Sequence, residues 1–143
     1  MRISKRIEFD AGHRVPHHTS KCSNPHGHRY VVEVEVEGII QPADGRSEGG
    51  MVIDFSVLKD ILTLYVHDVY DHGFIVWAGD DAMLDALDNS LGWKVVVIDS
   101  VPTAENLVGI IADDIAPHLH REHMRLSRVT VLETPTSRAE CTW

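Results

Sequence analysis

The stretch His26-Gly27-His28-Arg29-Tyr30-Val31-Val32-Glu33-Val34-Glu35-Val36-Glu37 decides the fold. From Tyr30 onward it alternates, with Tyr30, Val32, Val34 and Val36 on one parity and Glu33, Glu35 and Glu37 on the other. Successive side chains of a strand point to opposite faces, so this is a strand with one apolar and one charged face. A sheet with one wet face is antiparallel, because parallel sheets are covered on both sides. A second amphipathic strand lies upstream. Within Arg2–His13 the residues Ile3, Ile7, Phe9 and Ala11 share a parity, Glu8 and Asp10 take the other, and His13 ends the run on the apolar side. Residues 14–25 between the two strands carry Pro16, Thr19, Ser20, Ser23, Asn24 and Pro25 and read as a loop.

Downstream, residues 41–50 (QPADGRSEGG) form a turn-rich loop, and Asp54 stands where a helix N-cap belongs. Leu58, Ile61, Leu62, Tyr65 and Val69 then recur at three- and four-residue spacing, which predicts a core-facing helix of about four turns. Residues 73–92 read as irregular and acidic, with a short helix over 81–87, and residues 94–99 (KVVVID) as a short strand. Thr103 caps a second helix whose stripe is Leu107, Ile110, Ile111 and Ile115, and Pro117 is expected to end or kink it. A strand over 128–133 and a hairpin partner over Ser137–Thr142 complete the chain. With no internal repeat and no linker, residues 1–143 read as one α+β domain.

Composition narrows the function. A net charge of −9 argues against nucleic-acid or anionic-membrane binding, since both require a basic face. No apolar run approaches the roughly 20 residues of a membrane span, and the basic start Met1-Arg2-Ile3-Ser4-Lys5-Arg6 lacks the apolar stretch of a signal peptide. The expected location is the cytoplasm, where the two cysteines, Cys22 and Cys141, remain thiols.

The ten histidines are the compositional oddity. In extended chain, residues i and i+2 point the same way, so His26 and His28 can place two imidazoles on one side, with Gly27 permitting close backbone approach. An isolated H-x-H is more often two surface histidines. A third histidine, His13, at the end of the neighbouring strand reverses that reading, because three neutral nitrogens with an open fourth position make a catalytic zinc site. Cys22 has two readings. It is either a fourth ligand closing a structural site, which the spacing favours, or a thiolate base standing off the metal. His17 and His18 are loop residues suited to anion contact or plain surface. His67 falls on a helix flank, and His118, His120 and His123 read as solvated.

Six motifs occur in order along the chain: Phe9-Asp10-Ala11-Gly12-His13-Arg14; Cys22 followed after three residues by His26-Gly27-His28-Arg29-Tyr30; Gly50-Met51-Val52-Ile53-Asp54-Phe55; Asp71-His72; Pro102-Thr103-Ala104-Glu105-Asn106-Leu107; and Glu133-Thr134-Pro135. Their order and spacing resemble the 6-pyruvoyl-tetrahydropterin synthase family across the whole chain. The three-residue gap after the cysteine is most similar to the bacterial 6-carboxy-tetrahydropterin synthases of queuosine and 7-deazaguanine synthesis. The animal pyruvoyl enzymes have a longer gap.

The resemblance implies the tunnelling fold, a four-stranded antiparallel sheet with two helices on one face. Subunits close their sheets into barrels, commonly as trimers stacked into homohexamers with active sites at subunit interfaces. It implies a zinc-dependent conversion of 7,8-dihydroneopterin triphosphate to 6-carboxy-5,6,7,8-tetrahydropterin, with release of triphosphate and acetaldehyde. The implied roles are Zn2+ on His13, His26 and His28, Cys22 as general base, and Asp71 with His72 as a proton-passing pair. Glu133 grips the pterin, and Thr103 and Glu105 line or support its pocket. For Glu105 a structural place at the helix N-terminus is equally consistent with its position. Lys21, Arg14, Arg29, His17 and His18 are the cationic candidates for the triphosphate. Two other readings stand beside this one: a pyruvoyl synthase, which stops before carbon–carbon cleavage, and a non-catalytic zinc- or pterin-binding protein with Cys22 as a structural ligand.

Overall fold

A computed structural model describes residues 1–88, 91–121 and 123–143. Strands β1 (Arg2–His13) and β2 (His26–Glu37) pair antiparallel without interruption, from Arg2 opposite Glu37 to His13 opposite His26. The alternation read from the sequence is the alternation of burial. Tyr30, Val32, Val34 and Val36 are fully buried, and Phe9, Ala11 and His13 join them on the same face. On the other face charges pair across strands, with Ser127 donating to Glu35 at 3.0 Å and Arg128 to Glu33 at 3.4 Å. These half-buried bonds across strands help to hold the register.

The sheet has six strands in the order β4-β3-β1-β2-β5-β6. β5 (Arg125–Thr134) and β6 (Ser137–Thr142) extend it antiparallel beyond β2, with a bulge where β5 passes Glu35 and Val36. On the far side of β1, β3 (Gly73–Trp77) and β4 (Val95–Ile98) run parallel to β1. The expected four-stranded antiparallel sheet is therefore one part of a mixed one, with the parallel β3 and β4 added beside β1. The α+β class stands, with helices gathered on one face of the central strands. β3 escaped the reading because it has no polar face to alternate with. Ile75 belongs to the main core, while Phe74 and Val76 belong to a second, smaller core with Met83 and Leu87 of α3 (Asp81–Asp88). A strand buried on both sides shows no period of two.

Asp54 caps the first helix as expected, accepting from the Ser56 amide at 2.7 Å. The helix is not uniform. α1 (Phe55–Leu62) passes through a π-helical turn (Thr63–His67) into the single turn α2 (Asp68–Tyr70). The long helix α4 (Ala104–Arg121) buries Leu107, Ile111, Ile115 and Leu119 against the sheet. Pro117 neither ends it nor stops its stripe. The proline lies on the exposed side, where the carbonyl one turn back can turn to water, and the buried Leu119 holds the following turn in place. Among the described residues, no helix is long and apolar enough to cross a membrane.

Candidate active site

The continuous β1–β2 register brings His13 opposite His26 and Ala11 opposite His28, so three imidazoles meet at one end of the helix-covered face. Their ring centroids lie 4.6, 5.1 and 4.9 Å apart, and one nitrogen of each falls within 4.8 Å of the others. Two rings are oriented from behind by backbone carbonyls. His13 Nδ1 donates to the Pro102 carbonyl at 2.6 Å and His26 Nδ1 to the Asn24 carbonyl at 2.8 Å. Those bonds fix the tautomer and leave each Nε2 as a lone pair, the arrangement that tunes a metal-binding histidine.

Electrostatics agree with a ligand role. Burial pushes His13 down to about 4, reinforced by the neighbouring His26 and His28, so its ring is neutral at neutral pH. Burial lowers His28 as well, against the opposing pull of Glu133. His13 Nε2 and His28 Nε2 are buried with no hydrogen-bond partner. A buried polar atom without a partner is costly, and a bound cation satisfies both at once. The residues fit zinc or a similar borderline ion.

Among the described residues, neither Cys22 nor any carboxylate joins this group. The set is three histidines, open on one side. Glu133, on the parity of Val129 and Val131, turns its carboxylate toward the opening, with Oε1 3.5 Å from His13 Nε2 and 4.0 Å from His28 Nε2. It also lines an open groove of about 590 Å³ with His28, Leu132, Thr134 and Pro135. Tyr30 adds a buried hydroxyl that the sequence reading treated as core only. Its ring packs 5.8 Å from His13 and 5.6 Å from His28, and burial together with the Glu133 charge raises its pKa. The signal was available in the H-x-H-x-Y parity.

Cys22 is half-buried on a one-turn helix (Lys21–Ser23) capped by Ser20, and its carbonyl accepts from the Val15 amide at 2.8 Å. Thr103 caps α4 through its hydroxyl, 3.4 Å from the Asn106 amide, and Glu105 is exposed in the first turn. Thr103 directly follows Pro102, whose carbonyl holds His13, and both Thr103 and Glu105 lie outside the lining of the Glu133 groove. Two of the five triphosphate candidates are engaged by carboxylates. Arg14 is bound by Asp80, and Arg29 is bidentate on Asp10 at 3.0 Å for each bond.

Asp71 and His72 form a hydrogen-bonded pair, with Asp71 Oδ2 2.7 Å from His72 Nδ1. Asp71 Oδ1 accepts from the Asp10 amide at 3.0 Å, and that bond, before the His72 contact, holds its carboxyl below the usual range. His67, read as a helix-flank residue, reaches the same carboxylate at 3.6 Å. His72 takes a positive φ of 58°, and its amide donates to the Asp10 carbonyl at 2.7 Å. Its exposed ring borders a concavity lined by Asp10, Gly12, Gly27 and Arg29 of the solvent parity and by Ala11 and His28 of the other. Within one chain the histidine cluster lies on the covered parity of the two strands, and its member His28 also lines the concavity that His72 borders.

A protein-family model described as 6-pyruvoyl tetrahydropterin synthase matches residues 2–142. The chain is 35% identical to the 6-carboxy-5,6,7,8-tetrahydropterin synthase of Rickettsia felis, covering 94% of this chain and 95% of that one. It is 33% identical to the enzyme of the same name from Haemophilus influenzae, covering 97% and 96%. An uncharacterized protein from Wolinella succinogenes shares the fold with a TM-score of 0.81 at 24% identity, over 99% of this chain and 97% of that one. With motifs, tunnelling fold and family model agreeing from one end to the other, the chain belongs to the 6-pyruvoyl tetrahydropterin synthase family of enzymes.

Proposed function

We propose that this chain is a zinc-dependent 6-carboxy-5,6,7,8-tetrahydropterin synthase acting on 7,8-dihydroneopterin triphosphate. The observation that carries this reading is the open three-histidine cluster, with two unpartnered buried nitrogens facing Glu133. The names of the curated relatives support the carboxy branch. Zinc, when bound, supplies Lewis-acid polarisation of the substrate side-chain oxygens. Glu133 accepts the paired N–H and amino donors of the pterin's cyclic guanidine edge, a match that suits a carboxylate. Cys22 removes a proton from carbon, and His72 passes protons with its ring oriented by Asp71. Thr103 and Glu105 support the rim through Pro102.

Among the described residues no hydrogen bond or ion pair joins the Asp71–His72 pair to the histidine cluster, which is consistent with a homo-oligomer, a hexamer in this reading, whose sites combine two chains. Exposed Ile39, Ile40, Met51 and Phe55 also favour association. We place the protein in the cytoplasm as one domain, with its product feeding 7-deazaguanine synthesis such as that of queuosine.

Replacing Cys22 by Ala tests the site, with retained zinc and lost turnover as the expected result. Loss of stoichiometric zinc in that variant contradicts the catalytic-thiol role. Product analysis separates the two branches, because acetaldehyde release supports the carboxy synthase and accumulation of a pyruvoyl pterin rejects it.

A further inference from the structure

β1 ends on His13, and the next residue, Arg14, begins the loop that carries Cys22. The guanidinium of Arg14 is gripped by both oxygens of Asp80, with Nε 2.7 Å from Oδ2 and a second, shorter contact from the terminal nitrogen to Oδ1. Asp80 is 5% exposed and belongs to the segment that follows β3. There it caps α3, its carbonyl accepting from the Met83 and Leu84 amides and its Oδ1 lying 3.3 Å from the Met83 amide. Its own amide donates to the Trp77 carbonyl at 2.9 Å. The pairing lowers the pKa of Asp80 and raises that of Arg14, so both stay charged.

Asp80 is therefore fixed by the β3–α3 unit through its backbone and the Met83 amide, and its carboxylate bonds Arg14 at the loop root, with the weaker charge interaction of His17 beside it. The loop closes on itself nearby, through the Val15 amide and the Cys22 carbonyl at 2.8 Å. The rest of the loop is held mainly by its own short-range bonds. Ser20 caps the Cys22 turn, and His18 Nδ1 accepts from the Ser20 amide at 3.0 Å. Apart from Pro16, residues 14–25 are exposed or half-exposed. The Arg14–Asp80 fork is the one ion pair among the described residues that ties residues 14–25 to another element.

We infer that Asp80 is a positioning residue, clamping Arg14 so that the Cys22 loop leaves β1 at a fixed angle beside the histidine cluster. A bidentate guanidinium–carboxylate pair fixes direction as well as distance, which a lysine cannot reproduce. Displacing a reacting group by about an ångström costs on the order of 100-fold in rate. The inference rests on the catalytic role proposed for Cys22, but its structural half is measurable without turnover.

The test uses Asp80→Asn, which keeps an oxygen for the Met83 amide and removes the charge, and Arg14→Lys, which keeps the charge and removes the fork. Iodoacetamide labelling is followed peptide by peptide, so that Cys22 and Cys141 are read separately in the intact zinc-loaded protein. In both variants labelling of Cys22 rises about threefold or more and kcat falls on the order of 10- to 100-fold, with KM within about twofold and zinc stoichiometry unchanged. The double variant is no worse than the worse single one, because the two residues act as a unit. Unchanged Cys22 labelling in both variants overturns the clamp. So does labelling of Cys22 and Cys141 that rises in step, which marks general loosening. If the wild-type protein does not turn over the pterin triphosphate, the proposed function fails while the labelling comparison still decides the clamp.

Discussion

Gly27 stands between two of the three histidines proposed as zinc ligands, and a single methyl there tests whether the β1–β2 spacing sets the geometry of the proposed site. A Cβ built at Gly27 lies 3.1 Å from the Ala11 carbonyl oxygen, with the Ala11 carbonyl carbon and the Gly12 Cα both at 3.7 Å. Ordinary contact begins near 3.4 Å, so the two backbones must part by a few tenths of an ångström. The obstruction is main chain, which cannot swing aside as a side chain would. Ala11 pairs with His28 and His13 with His26, so the displacement falls directly between the ligand from β1 and the two from β2. Metal sites tolerate ligand distances within about 0.2 Å, which makes the shift larger than the tolerance. Gly27→Ala should weaken zinc about 10- to 100-fold, or roughly 1.4–2.7 kcal/mol. The metal-free fold responds less. Overpacking costs about 1–3 kcal/mol, and the entropy removed from the unfolded chain returns about 0.4–1 kcal/mol. Competition against a chelating dye gives the zinc affinity, and urea unfolding of chelated protein gives the stability. Gly109→Ala in α4 is the control, because nothing lies within 4 Å of its added carbon and a stabilisation of about 0.5–1 kcal/mol is expected. Zinc affinity at the wild-type level in Gly27→Ala refutes the argument.

The Arg14–Asp80 pair has a pH signature. Its carboxyl is depressed below the ordinary 3.8, so the stabilisation is complete above that value and is lost as pH falls through the folded-state value. Acid unfolding of Asp80→Asn should therefore be flatter below about pH 4 than that of the wild type, and parallel curves contradict this. Pro117→Ala restores an amide to α4 at an exposed position and should raise stability by about 1–3 kcal/mol in urea unfolding. A lower urea midpoint shows instead that the proline fits a distortion the helix needs.

Parity carried most of what could be read in advance. It delivered the β1–β2 pair, its antiparallel sense and the meeting of His13 with His26 and His28, because one buried face and one wet face impose a period of two. It also placed Glu133 on the histidine side through Val129 and Val131. It failed where burial is two-sided. β3 packs Ile75 into one core and Val76 into another, so its run of apolar residues carries no direction. The parallel edge of the sheet was hidden with it. Asp80 was illegible for a different reason. In the Asp80-Asp81 dipeptide one acid is exposed at the start of α3 and the other is buried against Arg14, 66 positions away, and nothing local separates them. The expectation that Pro117 could end α4 failed because the proline falls on the side that faces water and the helix runs on to Arg121.

The two faces of the β1–β2 ribbon set the last question. The histidine cluster and Glu133 share the covered parity, and Asp71–His72 borders the exposed one. Among the described residues no hydrogen bond or ion pair links His72 to the cluster or to the Cys22 side chain. His28 and His72 nonetheless line one concavity, so the groups of the proposed chemistry can come from one chain or from two. If a second chain supplies the pair, two inactive variants should complement each other. In a Cys22→Ala chain the histidine pair is intact, and in a His72→Ala chain the thiol is intact. Co-refolding equal amounts lets chains reassort at random, so a mixed site unites an intact thiol with an intact histidine in about one case in four. Recovery toward a quarter of wild-type turnover is the expected result, with each variant alone inactive. Zinc content should remain full throughout, since neither substitution touches a ligand. Stable mixed oligomers that stay inactive would mean that thiol and histidine must come from the same chain. The concavity shared by His28 and His72 would then join the groups within one chain, not across a subunit boundary.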